Sequence, residues 1–329
     1  MKIVDSQWHW HPPALLEQHL GRSDYPRASR TDTGYLYEVS KDEVWTYDER
    51  YTDLDFQVSV LDTVGIDTAI VSASVAGDFS DRPIGEAREL SILLNEEMSR
   101  AQKSYPNRFI GLAHLPLADT HAAVEVLDDA VDRLGLRAVL LPGNVAGRSV
   151  ADQRLWPLYE RIQERRLPVF LHPTRTFRAP EALPYRMEVS LGYMFDTSFA
   201  AMALIVSGVL DRFPDLVVVH PHAGGTLPYV HGRLEVYRQK GWWPEMRRPF
   251  VEYLQQLYFD TVCNEPETLE LLIKVVGAER LLFSTDYPYW STRKALEFVR
   301  GNVPTQHLPG VLGETVLGLL DGAGTGRAG

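Results

Sequence analysis

Short apolar, β-branched runs recur along the 329 residues, separated by longer stretches of helical period. The runs are Lys2–Trp8, Thr68–Ala73, Phe109–His114, Arg137–Leu141, Pro168–His172, Leu216–His220, Leu257–Thr261 and Arg280–Thr285. Runs such as RAVLL and VVVH are apolar throughout, as strands covered on both faces must be, which points to a parallel sheet. Amphipathic segments intervene at 84–104, 120–134, 152–166, 197–213 and 266–276. In the first of these Leu90, Leu93, Leu94, Met98 and Ala101 share one helical face, with Glu97 as the exception. Eight strands alternating with helices predict an α/β fold, a closed (β/α)8 TIM barrel rather than an open doubly wound sheet. No GxGxxG opens a helix after the first strand, which weighs against dinucleotide binding.

The expected organisation is a single barrel domain over residues 1–322, with a flexible Gly-rich tail at 323–329. Two stretches interrupt the alternation. Residues 12–55 form a long, aromatic-rich insertion after the first strand, containing GYLYEVSKDEVWTYDERY, and residues 174–194 follow the fifth. Both leave the C-terminal ends of strands, where barrel active sites lie, so both are expected as loops or lids over a site.

Net charge is -11, which argues against nucleic acid or anionic membrane as the main partner. The single cysteine, Cys263, excludes an internal disulfide and a Cys-rich zinc module. No basic leader and no apolar run of membrane-spanning length is evident, so a cytoplasmic location is expected.

Histidines gather at the predicted strand ends. His9 and His11 end the first strand; residues two apart on a strand face the same way. His172 ends the fifth strand, His220 and His222 end or follow the sixth, and Asp286 ends the eighth. In a barrel these positions ring one mouth. Imidazoles with a carboxylate suit one divalent transition metal, Zn²⁺ first, then Mn²⁺ or Fe²⁺.

The segments IVDSQWHWH, VFLHPT, VVVHPHAGGTLP and LLFSTDYP resemble the metal and catalytic motifs of the amidohydrolase superfamily. More narrowly they are similar to its amidohydrolase-2 branch, typified by aminocarboxymuconate semialdehyde decarboxylase. The resemblance implies that His9, His11, His172 and Asp286 bind one metal. It also implies that His222 is an acid/base residue, with Asp286 sharing the proton handling and His220 as the rival of His222. Binuclear members generally carry a carboxylated lysine at the end of strand four; RAVLLPGN has none, so a mononuclear site is expected.

Family decarboxylases grip the substrate carboxylate with arginines, one of which corresponds to Gln57 here. Arg50, Gln57, Arg175 and Arg233 are therefore the candidate substrate contacts, with Arg178 a further basic residue. The branch implies a non-oxidative decarboxylase of a small aromatic or unsaturated carboxylic acid, working as a homodimer or higher homo-oligomer. The alternative is a hydrolase or hydratase acting on a lactone, amide or unsaturated acid through a metal-bound hydroxide.

Overall fold

The computed structural model describes residues 1–41, 43–174 and 185–323. Among these, strands numbered in chain order are β1 (Val4–His9), β2 (Arg27–Thr31), β3 (Gly34–Glu38), β4 (Val44–Tyr47), β5 (Thr68–Ser72), β6 (Phe109–Gly111), β7 (Val139–Pro142), β8 (Val169–His172), β9 (Val218–His220), β10 (Tyr258–Asp260) and β11 (Leu281–Leu282). Eight of them, β1 and β5–β11, form parallel ladders in the orders β1-β5-β6 and β7-β8-β9-β10-β11. Two bridges join the ladders into a ring. Ala113 pairs with Val139 at one seam, and Trp8 pairs with Tyr287 at the other. The fold is the (β/α)8 barrel expected from the alternation.

Side-chain parity builds the interior. Val4, Ile70, Ile110, Leu140, Phe170, Val219 and Leu282 make one cluster inside the ring, closed at its base by Val316 and Leu320 of the last helix, Thr315–Asp321. A second, larger cluster fills the space between ring and helices. Strands buried on both sides have no polar face, which is why their sequences alternate weakly.

The seam between β1 and the segment after β11 is held mainly by polar contacts. Ser6 N–H donates to the Phe283 carbonyl at 2.9 Å, His9 N–H to Tyr287 O at 2.9 Å, and Asp286 N–H to Gln7 O at 2.9 Å. Buried Asp5 accepts from Thr285 Oγ1 at 2.5 Å and from the Thr285 and Gln7 amides. Burial pushes its carboxyl up to about 7 against those hydrogen bonds. A register shift between Asp5 and Trp8 marks a bulge, which re-aims the residues that follow.

The stretch 12–55 has regular structure of its own. The helix Pro13–Glu17 is followed by the antiparallel sheet β2-β3-β4. Alternation of buried Tyr35 and Tyr37 with half-buried neighbours is the period-2 signature of a strand, and its aromatic faces pack on the barrel mouth. The tail 324–329 lies outside the described residues, whereas Ala323 is buried.

Residues 185–194 are helical rather than looped: a π-turn at Glu188–Gly192 runs into the helix Tyr193–Val206. One correction follows. Glu188–Val206 is long and apolar enough to cross a membrane, with mean hydropathy 1.5, although the sequence reading found no such run. Here it packs Leu204, Ile205 and the polar Asp196, Thr197 and Ser198 into the barrel wall.

Gln57 requires a second correction. Its side chain is wholly buried, donating to His9 O at 3.0 Å and Arg50 O at 2.8 Å while accepting from Trp8 Nε1 at 2.9 Å. With every amide position engaged it braces the end of β1 instead of meeting a substrate. Gln57→Leu leaves two buried polar groups, Trp8 Nε1 and His9 O, without this partner and should lower unfolding stability by about 2–4 kcal/mol in urea titrations. An unchanged midpoint with only a weaker KM would restore the substrate-contact role.

Candidate active site

β1 aims Gln7, His9 and His11 at the barrel mouth and turns Trp8 and Trp10 outward. Trp8 stacks on Tyr287 at 4.0 Å, and Trp10 Nε1 donates to Thr52 O at 2.9 Å. Gln7, missed by the sequence reading, reaches Asp286 Oδ1 at 2.9 Å and stands 3.4 Å from His222 Nε2. Strict alternation along Gln-Trp-His-Trp-His was the available signal.

His9 Nε2 lies 2.9 Å from Asp286 Oδ1, with Ser72 Oγ 3.2 Å from its other nitrogen. The His172 ring meets His9 edge to face at 5.0 Å, and its Nδ1 is 2.6 Å from the Pro173 carbonyl, which fixes Nδ1 as donor and leaves Nε2 bare. His11 stacks on Tyr47 at 4.2 Å, and among the described residues neither of its buried ring nitrogens has a hydrogen-bond partner. Burial, reinforced by the neighbouring histidines, holds His11 and His172 well below the ordinary imidazole range, so both are neutral.

Asp286 stays ionised. Burial opposes its charge, but the nearby His222 and the 2.9 Å contact with His9 outweigh that and hold the carboxyl well below its usual range. His222 is shifted upward; burial pulls against the shift, and the neighbouring Asp286 carboxylate overcomes it. The His222 Nε2 to Asp286 Oδ2 distance is 3.7 Å. His220 belongs elsewhere. Val219 faces into the barrel, so His220 faces out, stacked on Phe259 at 5.9 Å with Nδ1 against Pro221 O. The two histidines do not share a face: β9 ends at His220, and His222 and Ala223 take left-handed φ values of 54° and 52°. Asp260 holds that turn, accepting from Ala223 N–H at 2.9 Å. Asp286 and Ser74 also have positive φ (56° and 52°), so several strained non-glycine residues ring the mouth.

Among the described residues no three His, Cys, Asp or Glu side chains already stand at coordinating distances from a common point. They meet instead as pairs, His9 with Asp286 and His9 with His172. The donor chemistry nonetheless fits a divalent ion: an ionised carboxylate, neutral imidazoles, and buried His11 nitrogens that nothing else satisfies.

Above them opens a cavity of about 660 Å³, walled by His172, His222, Asp286, Trp45, Tyr289 and Arg186 among others. Of the proposed substrate contacts, Arg50 is paired with Asp48 and absent from this wall. Arg233 bonds Tyr237 Oη on an exposed helix face, also away from its own chain's cavity. Arg175 and Arg178 lie outside the described residues. Trp45 and Arg186 had no spacing signal, because the insertion and the segment after β8 bring them in; Tyr289 follows Asp286 by three residues in the stretch after β11.

The chain is 30% identical over 301 residues to gamma-resorcylate decarboxylase of Rhizobium radiobacter, covering 83% of this chain and 87% of that protein. It is 27% identical over 246 residues to 2-amino-3-carboxymuconate-6-semialdehyde decarboxylase of Dictyostelium discoideum, covering 74% and 68%. Dihydroxybenzoic acid decarboxylase from Polaromonas sp. JS666, solved with bound manganese and the inhibitor 2-nitroresorcinol, superposes with a TM-score of 0.81 at 22% identity. That superposition covers 97% of both chains. The amidohydrolase family model matches residues 82–303, well over half of the chain, and the protein belongs to the amidohydrolase-2 branch of that family.

Proposed function

We propose that this enzyme removes CO₂ from an aromatic carboxylic acid without oxidation. The observation that carries the reading is the ionised Asp286 held between His9 and a His222 of raised basicity, at the floor of a largely apolar cavity. The decarboxylases to which the chain is similar support it. His9, His11, His172 and Asp286 would hold one divalent metal. Such an ion supplies Lewis-acid stabilisation for the carboxylate and an adjacent oxygen of the substrate. The imidazole-rich donor set favours Zn²⁺, and the manganese in the Polaromonas relative favours Mn²⁺.

When the bond from ring to carboxylate breaks, its electron pair stays on the ring carbon and a proton must replace CO₂ there. His222 Nε2 is the donor, and Asp286 is the anion that keeps it charged until transfer. Gln7 braces the carboxylate from the side opposite the cavity, and the aromatic wall excludes water from the ring carbon.

Elemental analysis of the purified protein should find about one transition metal per chain, lost in His9→Ala/His11→Ala; metal-free protein indifferent to chelators would sink the ligand assignment. Incubation with hydroxybenzoates should release CO₂, and His222→Ala should lower kcat by about two to four orders of magnitude while the metal is retained. Because its affinity for protons is raised, activity should persist below the His222 midpoint and fall as pH climbs above it. Opening of lactones with no CO₂ from any acid would favour the hydrolase alternative.

A homodimer is part of the proposal. Leu191, Phe195 and Phe199 are exposed at four-residue spacing, and Tyr229, Arg233 and Val236 share one face of the helix Leu227–Gln239. A second copy would cover both. Sedimentation should give twice the chain mass, reduced to one chain by Phe199→Asp; a wild-type monomer overturns it.

A further inference from the structure

The cavity over the His9–Asp286 pair carries a charge that the metal ligands do not use. Among the described residues on its wall, Arg186 is the one arginine or lysine. Among the described residues its guanidinium has no carboxylate partner; its contact is the Trp45 ring, with the carbon of the guanidinium 5.9 Å from the ring centroid. Trp45 meets Tyr289 at 5.8 Å, and Tyr289 meets His9 at 5.5 Å. One aromatic wall thus runs from the Asp286 end of the cavity to a guanidinium at the other. At about 660 Å³ the space exceeds what a single ring fills.

Arg186 is exposed at the cavity's edge, where a ligand long enough to follow the aromatic wall meets its guanidinium. A neutral substituent gains nothing from that charge, whereas an acidic group would pair with it through two charge-assisted hydrogen bonds. Resting on the decarboxylase reading, we propose that the substrates are aromatic acids with a second acidic group, which Arg186 clamps at the far end of the wall. One carboxylate leaves as CO₂, its bonding pair taken up with the proton from His222. The second is chemically unchanged and stays on the product, so the clamp acts on substrate and product alike and registers in binding more than in the chemical step.

The test compares 2-hydroxybenzoate with 2-hydroxyterephthalate and its homologue 4-carboxymethyl-2-hydroxybenzoate, on metal-loaded wild type, Arg186→Gln and Arg186→Lys. Binding is read by tryptophan fluorescence, since Trp45 and Trp290 line the cavity, and turnover by CO₂ release. Wild type should bind at least one diacid about tenfold or more tightly than the monoacid. Arg186→Gln should erase that preference through KM with kcat little changed, and Arg186→Lys should keep part of it. No diacid preference in wild type, or one that survives in Arg186→Gln, overturns the clamp. If the preference and its loss are seen without CO₂ from any probe, the clamp stands and the decarboxylase reading fails. If CO₂ is released with selectivity that Arg186→Gln leaves unmoved, the clamp fails alone.

Discussion

The contact between His9 and Asp286 organises this protein. The two lie 277 positions apart and meet only because the last barrel strand closes on the first. The seam that joins them is mainly polar: Ser6 to Phe283, Asp5 to Thr285, Gln7 to Asp286. A seam of apolar side chains would close a barrel as well, yet it would not fix the direction of a carboxylate to within hydrogen-bond range. Here buried polar groups must be paired, so their pairing dictates one arrangement. The bulge in β1 belongs to the same device, since it restores Gln7 and His9 to the inward face after Asp5 has bonded across the seam.

Electrostatics at the mouth follows from that closure. Burial alone would neutralise Asp286 and His222. Set against each other, they move in opposite directions, the carboxyl down and the imidazole up. His11 and His172, also buried but without such a partner, are driven to the neutral form that a metal requires. One small volume therefore separates a histidine of raised proton affinity from neutral ones through differences in contact, not in residue type.

The insertion and the helix after β8 convert a ligand cluster into a chamber. Tyr47 covers His11, Trp45 extends the wall that Tyr289 begins beside Asp286, and Arg186 ends it. The barrel positions the chemistry, and these added segments set the shape and charge that a substrate meets. The division suits a fold whose loops vary while its strands do not.

The barrel was legible from local patterns, because a parallel sheet covered on both faces demands the recurrent apolar runs between amphipathic helices. The sequence also placed His9, His11, His172 and Asp286 at strand ends, since period-2 alternation and strand polarity act locally. Gln57 was legible as unusual but not as buried; only the fold shows its amide spent on Trp8, His9 and Arg50. The choice between His220 and His222 was likewise tertiary. Strand parity sends His220 outward, and the left-handed turn, held by Asp260 from the next strand, swings His222 inward. Arg186 and Trp45 carry no local pattern at all. Their meeting depends on how an insertion and a distant helix pack, and packing between segments far apart in the chain leaves no period in the sequence.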